Sequence, residues 1–126
     1  MRSIKYWAWS LAVTIISSMV DRDKLLQALL NVMSNATRYA LKQVEVHTNV
    51  VHERIEITIS DDGPGIPDEL LPFLFHRFVK GKDGESGLGL AISRAIVERC
   101  GGTIVAGNRH EGGAVISLSF PAAAGR

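Results

Sequence analysis

Cysteine is almost absent. Cys100 stands alone, so no disulfide can close within the chain and no cysteine metal cluster can form. A reducing compartment is compatible with that usage. An excess of either charge is missing too: 14 Lys and Arg face 13 Asp and Glu, a net charge of +1. Such a balance leaves no electrostatic footprint for nucleic acid. The histidines, His47, His52, His76 and His110, are scattered and suggest no zinc site. A bilayer-length apolar run is lacking. Tyr6 to Val20 is uncharged and follows Arg2 and Lys5, but it is shorter than the roughly 20 residues a membrane helix needs. It also carries Thr14, Ser17 and Ser18, with no small-x-small cleavage site before a polar start.

What is present suits one globular domain over residues 1–126, with 46% hydrophobic and 21% charged residues around a single core. Ser3 to Trp9 and Ala12 to Met19 are rich in aromatic and β-branched types, which favours strands. Asp21 can cap a helix. From Leu25 to Ala40, Leu25, Leu26, Leu29, Val32, Met33, Ala36 and Ala40 recur at helical spacing. Gln27, Asn31 and Asn35 are spaced by four, and Arg38 follows, so one face of this helix is polar. A solvated face accounts for such a stripe. A metal ion or phosphate also does, since two amides one turn apart suit either, and asparagine gains nothing in a helix interior.

Two alternating runs follow. Val44, Val46, Thr48 and Val50 form one; Ile55, Ile57 and Ile59 form the other, with a hairpin turn near Val51 to Arg54. Asp61 shares the parity of the isoleucines and so is expected on the buried side of the sheet. A carboxylate there needs hydrogen bonds. Asp62-Gly63-Pro64-Gly65-Ile66-Pro67 then reads as a turn. An Asx-turn at a strand end is the simple account of Asp61; a buried acceptor beside a flexible turn is the other. Asp68 can cap a helix through Leu70, Leu71, Phe73, Leu74, Phe75 and Phe78. Val79 to Ser86 is polar and glycine-rich, a loop. Gly84-Glu85-Ser86-Gly87-Leu88-Gly89-Leu90 leads from it into a helix with Leu88, Ile92, Ala95 and Ile96 inward, stopping at Gly101-Gly102. Glycines before a helix mark ordinary turns, and they also let backbone N–H groups approach a phosphate at the positive end of the helix dipole. Thr103 to Ala106 reads as a strand, Asn108 to Gly113 as a turn, Ile116, Leu118 and Phe120 as the inward side of a last strand, and Pro121 to Arg126 as a tail.

Four blocks occur in one order: Asn31-Val32-Met33-Ser34-Asn35-Ala36-Thr37-Arg38-Tyr39, Asp61-Asp62-Gly63-Pro64-Gly65, Leu74-Phe75-His76-Arg77-Phe78, and Gly87-Leu88-Gly89-Leu90-Ala91-Ile92. From about Asp21 to Pro121 the chain resembles the ATP-binding catalytic domain of bacterial two-component sensor histidine kinases, within the superfamily that includes gyrase and mismatch-repair ATPases. The resemblance implies an α+β fold, a two-layer sandwich with a mixed β-sheet and helices on one face, and ATP and Mg2+ as ligands. It implies that Asn35 ligates magnesium and that Asn31 lines the same phosphates. Related ATPases place a water-activating glutamate at the Asn31 position; an amide cannot act as that base, which suits transfer to a protein. It further implies Arg38 and Tyr39 at the phosphates and nucleotide, Asp61 accepting from the adenine amino group, and Gly63, Gly65 and Ile66 closing on the nucleotide. Gly87, Leu88, Gly89 and Leu90 would present backbone to the phosphates, and Lys80 and Lys82 would add charge to the γ-phosphate.

The implied activity is that of a protein-histidine kinase module, cytoplasmic and joined to a membrane only through a parent protein. Its partners would be a histidine-containing dimerisation domain and, indirectly, a response regulator. The departures are at the start. Residues 1–20 are strand-like and atypical, and no phosphoacceptor hairpin precedes Asp21. His52-Glu53-Arg54 faintly echoes a phosphoacceptor sequence but falls in the expected hairpin turn, so it reads as a surface histidine. Two other readings share the blocks: a non-catalytic nucleotide-binding interaction module, and a serine kinase of the anti-sigma-factor type.

Overall fold

The computed structural model of the protein describes residues 22–76 and 89–121. Helix α1 (Arg22–Tyr39) forms on the expected periodicity. Leu25, Ala28, Leu29, Val32, Met33 and Ala36 bury one side of it. After Ala40, the N–H groups of Leu41, Lys42 and Gln43 all donate to the Asp62 carboxylate, at 2.8 to 3.3 Å. That ties the exit of α1 to the end of the second strand.

Strands β1 (Val44–Val51) and β2 (Arg54–Asp61) pair antiparallel, with Val51 opposite Arg54. The turn between them has positive φ at both His52 (51°) and Glu53 (66°), the twist that a tight hairpin favours. A short 3-10 turn spans Leu71–Phe73. Helix α2 (Gly89–Arg99) ends at Gly101, whose φ is +78°; Gly101 N donates to Glu98 O and Gly102 N to Val97 O, both at 3.0 Å, the paired bonds of a glycine stop. β3 (Thr103–Asn108) and β4 (Ala114–Pro121) complete a sheet of order β1-β2-β4-β3.

One face of the sheet is apolar. Ile57, Leu118 and Ile104 form one cross-strand row, and Val46, Ile59 and Ile116 another, all buried under the helices. Each such side chain contributes about 1.5–3 kcal/mol by burial. The other face carries His47, Thr58 and Ser117 in the row beside that of Ile57.

The two-layer α+β sandwich matches the expectation. The sheet, expected as mixed, is antiparallel in every described pairing. The physical reason lies in the β2–α2–β3 connection. β2 and β3 do run in the same direction, but β4 inserts between them, so these parallel strands never bond each other. Three local expectations change. Of the helix expected after Asp68, the described residues show only the Leu71–Phe73 turn, with Pro72 in it and no side-chain cap on Leu70; Phe78 lies outside the described residues. The inward side of α2 is Leu90, Ser93, Ile96 and Val97, whereas Ile92 and Ala95 are exposed, because the face is set by contact with α1 as well as with the sheet. Pro121 closes β4, so it is not the start of a tail. The strands expected over Ser3 to Met19, the cap Asp21, the loop Val79 to Ser86 and the tail after Pro121 lie outside the described residues. Among the described residues no helix is long and apolar enough to cross a membrane.

Candidate functional site

Helix α1 is the spine of the site. Asn31, Asn35 and Tyr39 are four apart and share one flank, and a rise of about 1.5 Å per residue puts roughly 12 Å between the first and last. Asn31 Nδ2 donates to the carbonyl oxygen of Gly89 at 3.1 Å. At the other end, Gly63 sits so close to the Tyr39 carbonyl that a Cβ on it would collide with that oxygen. Helix α1 therefore touches the second glycine run through the Asn31 side chain and the first through the Tyr39 main-chain carbonyl. Asn35 stands between them, half-buried, with its amide in no hydrogen bond among the described residues. Arg38 is exposed in the last turn.

Small residues bring the two helices together. Ser93, fully buried, donates its hydroxyl to the Ala28 carbonyl at 2.8 Å. One turn earlier in α2 lies Gly89, which thereby meets Asn31. The first N–H groups of α2 have no partner within the helix, and the helix dipole adds positive character there. Leu90 is half-buried against the core.

Asp61 is where its parity puts it, 3% exposed at the end of β2. Its Oδ1 accepts from Gly63 N at 2.8 Å and Ala114 N at 3.4 Å. Oδ2 accepts none among the described residues. The Asp61 carbonyl accepts from Arg109 Nη1 at 3.0 Å. Asp62 turns the other way. The N–H of Lys42 in particular, with those of Gln43 and Leu41, holds its carboxyl below the usual carboxylate value. Next along, Gly65 has φ +86° and lies against Asn108, whose amide oxygen accepts from Ile66 N at 2.7 Å while its Nδ2 donates to Ile66 O at 2.9 Å. Arg109 also reaches Glu111 at 3.2 Å, and Glu111 is held low by its own backbone N–H and then by that guanidinium.

The structure thus puts Asn31 against Gly89 and the Tyr39 carbonyl against Gly63, with Asn35 between the two on α1, Asp61 bonded to Gly63, and Gly65 and Ile66 continuing the first glycine run. Lys80, Lys82, Gly87 and Leu88 lie outside the described residues. Sequence reasoning missed Asn108 and Arg109, which it read only as turn residues, and Ser93, whose polarity hid a helix contact. It also passed over Asp62, whose signal was adjacency to a glycine box. Among the described residues no three His, Cys, Asp or Glu side chains gather as a metal cluster. A hard cation would have to be shared between an amide oxygen such as that of Asn35 and oxygens of a ligand or water, a donor set that suits Mg2+.

A family model described as histidine kinase-, DNA gyrase B-, and HSP90-like ATPase matches residues 20–124. The chain belongs to this family of ATPases. Among curated relatives, the sensor protein KdpD of Escherichia coli is 39% identical over 108 residues, covering 81% of this chain and 12% of that protein. The sensor protein FixL of Bradyrhizobium diazoefficiens is 36% identical over 110 residues, covering 83% of this chain and 22% of that protein. The chain therefore spans a small part of the length of these relatives. Among solved structures, the mycobacterial sensor histidine kinase MprB superposes with a TM-score of 0.75 at 30% identity, over 82% of this chain and 76% of that one. ShkA, solved at full length in complex with AMPPNP, superposes with a TM-score of 0.73 at 30% identity, over 82% of this chain and 22% of that one. The chain is an ATPase domain of the sensor histidine kinase type, with that catalytic-domain fold.

Proposed function

We propose that this domain binds Mg-ATP along the α1 flank and moves the γ-phosphoryl group to a histidine on a separate dimerisation segment. The observation that carries the proposal is the double contact of α1, through Asn31 with Gly89 and through Tyr39 with Gly63. Asp61 receives the adenine amino group on the carboxylate oxygen that its own N–H partners leave open. Gly63, Gly65 and Ile66 bring backbone against the base and sugar. Arg38 and Tyr39 serve the nucleotide at the end of α1. Gly87, Leu88, Gly89 and Leu90 offer N–H groups at the start of α2, and Lys80 and Lys82 add positive charge at the γ-phosphate. Asn31 and Asn35 line the phosphates, with Asn35 as the protein ligand of magnesium. Magnesium, when bound, neutralises phosphate charge.

Transfer breaks the bond from the γ-phosphorus to the bridging oxygen, leaves ADP, and forms a phosphorus–nitrogen bond on the acceptor imidazole, whose proton goes to solvent. The residues here contribute position and charge, which is most of what phosphoryl transfer requires. Neither Asn31 nor Asn35 can take a proton from water, which disfavours hydrolysis. We take the acceptor to be a histidine outside this domain: His47 lies on β1 and His52 in the β1–β2 turn, and neither is carried on a helix. We place the domain on the cytoplasmic side, joined to a membrane only through a parent protein and signalling onward to a response regulator.

The test supplies a histidine-bearing dimerisation hairpin in trans with Mg-ATP. Acid-labile phosphate on the hairpin is the expected result. Acid-stable phosphate would mark a serine kinase, and Mg-ATP binding without any transfer would mark a non-catalytic module.

A further inference from the structure

The turn between β3 and β4 makes more contacts with the first glycine run than a connecting loop requires. Asn108 closes a two-bond clasp on the backbone of Ile66, at 2.7 and 2.9 Å. The neighbouring Arg109 donates to the Asp61 carbonyl at 3.0 Å. Gly113 lies so near that carbonyl that a Cβ on it would collide with the oxygen. Ala114, the first residue of β4, sends its N–H to Asp61 Oδ1 at 3.4 Å. Within the turn itself, Arg109 N donates to Gly113 O at 2.7 Å and Gly112 N to Arg109 O at 3.1 Å, so the unit is braced internally. It grips the strand end on the carbonyl, the carboxylate and the residues that follow.

We propose that this turn sets the base selectivity of the site, with Asn108 and Arg109 as positioning residues that aim the Asp61 carboxylate and fix the backbone at Ile66. The proposal rests on the nucleotide reading above. Its chemistry is a matter of hydrogen-bond polarity. Adenine presents an amino donor where guanine presents a carbonyl oxygen. A carboxylate held in one orientation accepts from the first and repels the second. A carboxylate free to rotate away loses that contrast, and the site then holds both nucleotides mainly through their common phosphates. Gly63 and Ala114 both address Oδ1, so the orientation of Oδ2 depends on the turn that delivers Ala114.

The experiment measures Mg-ATP and Mg-GTP affinity by competition for the wild-type protein, Asn108→Ala and Arg109→Gln, each checked by thermal melting. The expected result is a fall of about tenfold in the ATP-to-GTP affinity ratio for each folded variant. An unchanged ratio would overturn the proposal even if both affinities fell together, because general loosening of the fold lowers both in proportion. If Asn108→Ala fails to fold, Arg109→Gln decides, since it keeps the Ile66 clasp. Wild-type protein that bound no Mg-ATP would defeat the nucleotide reading itself, and the clamp with it; selective wild-type binding with unaltered variants defeats the clamp alone.

Discussion

The side-chain amide of Asn31 reaches across the helix pair to the carbonyl of Gly89 at 3.1 Å, joining the first residue of α2 to the middle of α1. Their separation in sequence is 58 residues, so the contact depends on tertiary packing. It also fixes which way the Asn31 amide oxygen can turn, because the nitrogen is committed. Asn35 lies one turn further on, half-buried on the same helix.

That position gives the first prediction. With Asn35 in the proposed role of magnesium ligand, Asn35→Asp would set a negative charge beside the phosphates, so Mg-ATP affinity should fall by about tenfold or more, on the order of 1.4 kcal/mol. Titration calorimetry of the folded variant reads this directly. Unchanged affinity removes Asn35 from the site.

Ser93 separates stability from binding. Ser93→Ala loses one buried hydrogen bond and should cost about 1 kcal/mol in denaturant unfolding with little change in nucleotide affinity. Ser93→Val places a branched side chain in a position with 0% exposure and pushes α1 and α2 apart. Its affinity for Mg-ATP should drop along with its stability, because the Asn31–Gly89 contact needs the helices close. Equal affinity for the two variants would contradict that coupling.

Glycine substitutions test the close approaches. Gly113 has φ +96° and faces the Asp61 carbonyl, and Gly63 faces the Tyr39 carbonyl. Gly113→Ala and Gly63→Ala should each destabilise by about 1–3 kcal/mol or more, since backbone must move. A Cβ on Gly107 would meet nothing within 4 Å, so Gly107→Ala serves as the control, within about 0.5 kcal/mol of wild type. Urea midpoints rank the three.

Asp62 carries a pH dependence. Its folded pKa lies below the ordinary 3.8, chiefly through the Lys42 N–H. A depressed carboxylate contributes stability that is present above the unfolded value and lost as pH falls through the folded one. Asp62→Asn should therefore be less stable than wild type near neutral pH, and the gap should close below 3.8. A gap that persists into acid would assign the difference to shape instead of charge.

Much of this was legible in the chain. The parity of Asp61 with Ile55, Ile57 and Ile59 placed it on the buried side of the sheet, since a strand has no freedom in which face a residue takes. The spacing of Gln27, Asn31 and Asn35 placed them on one face of the helix for the same kind of reason, whereas Tyr39 was drawn in only by the family resemblance. The α2 face was harder, because a helix packed on both a sheet and another helix has two inward directions, and Ser93 faces the second. The Asn108 clasp was hidden for a different reason. A turn residue's partner is decided by where two distant loops meet, and local sequence carries no trace of that meeting.

The claim on which the account turns is that α1 and the two glycine runs enclose one nucleotide site. Amide-resolved NMR titration with Mg-AMPPNP tests it most directly. The account predicts that the side-chain amides of Asn31 and Asn35 and the backbone signals of Asp61, Gly63 and Gly89 shift together, on one binding curve, only with magnesium present. Shifts confined to one glycine run, or none at saturating nucleotide, would contradict it.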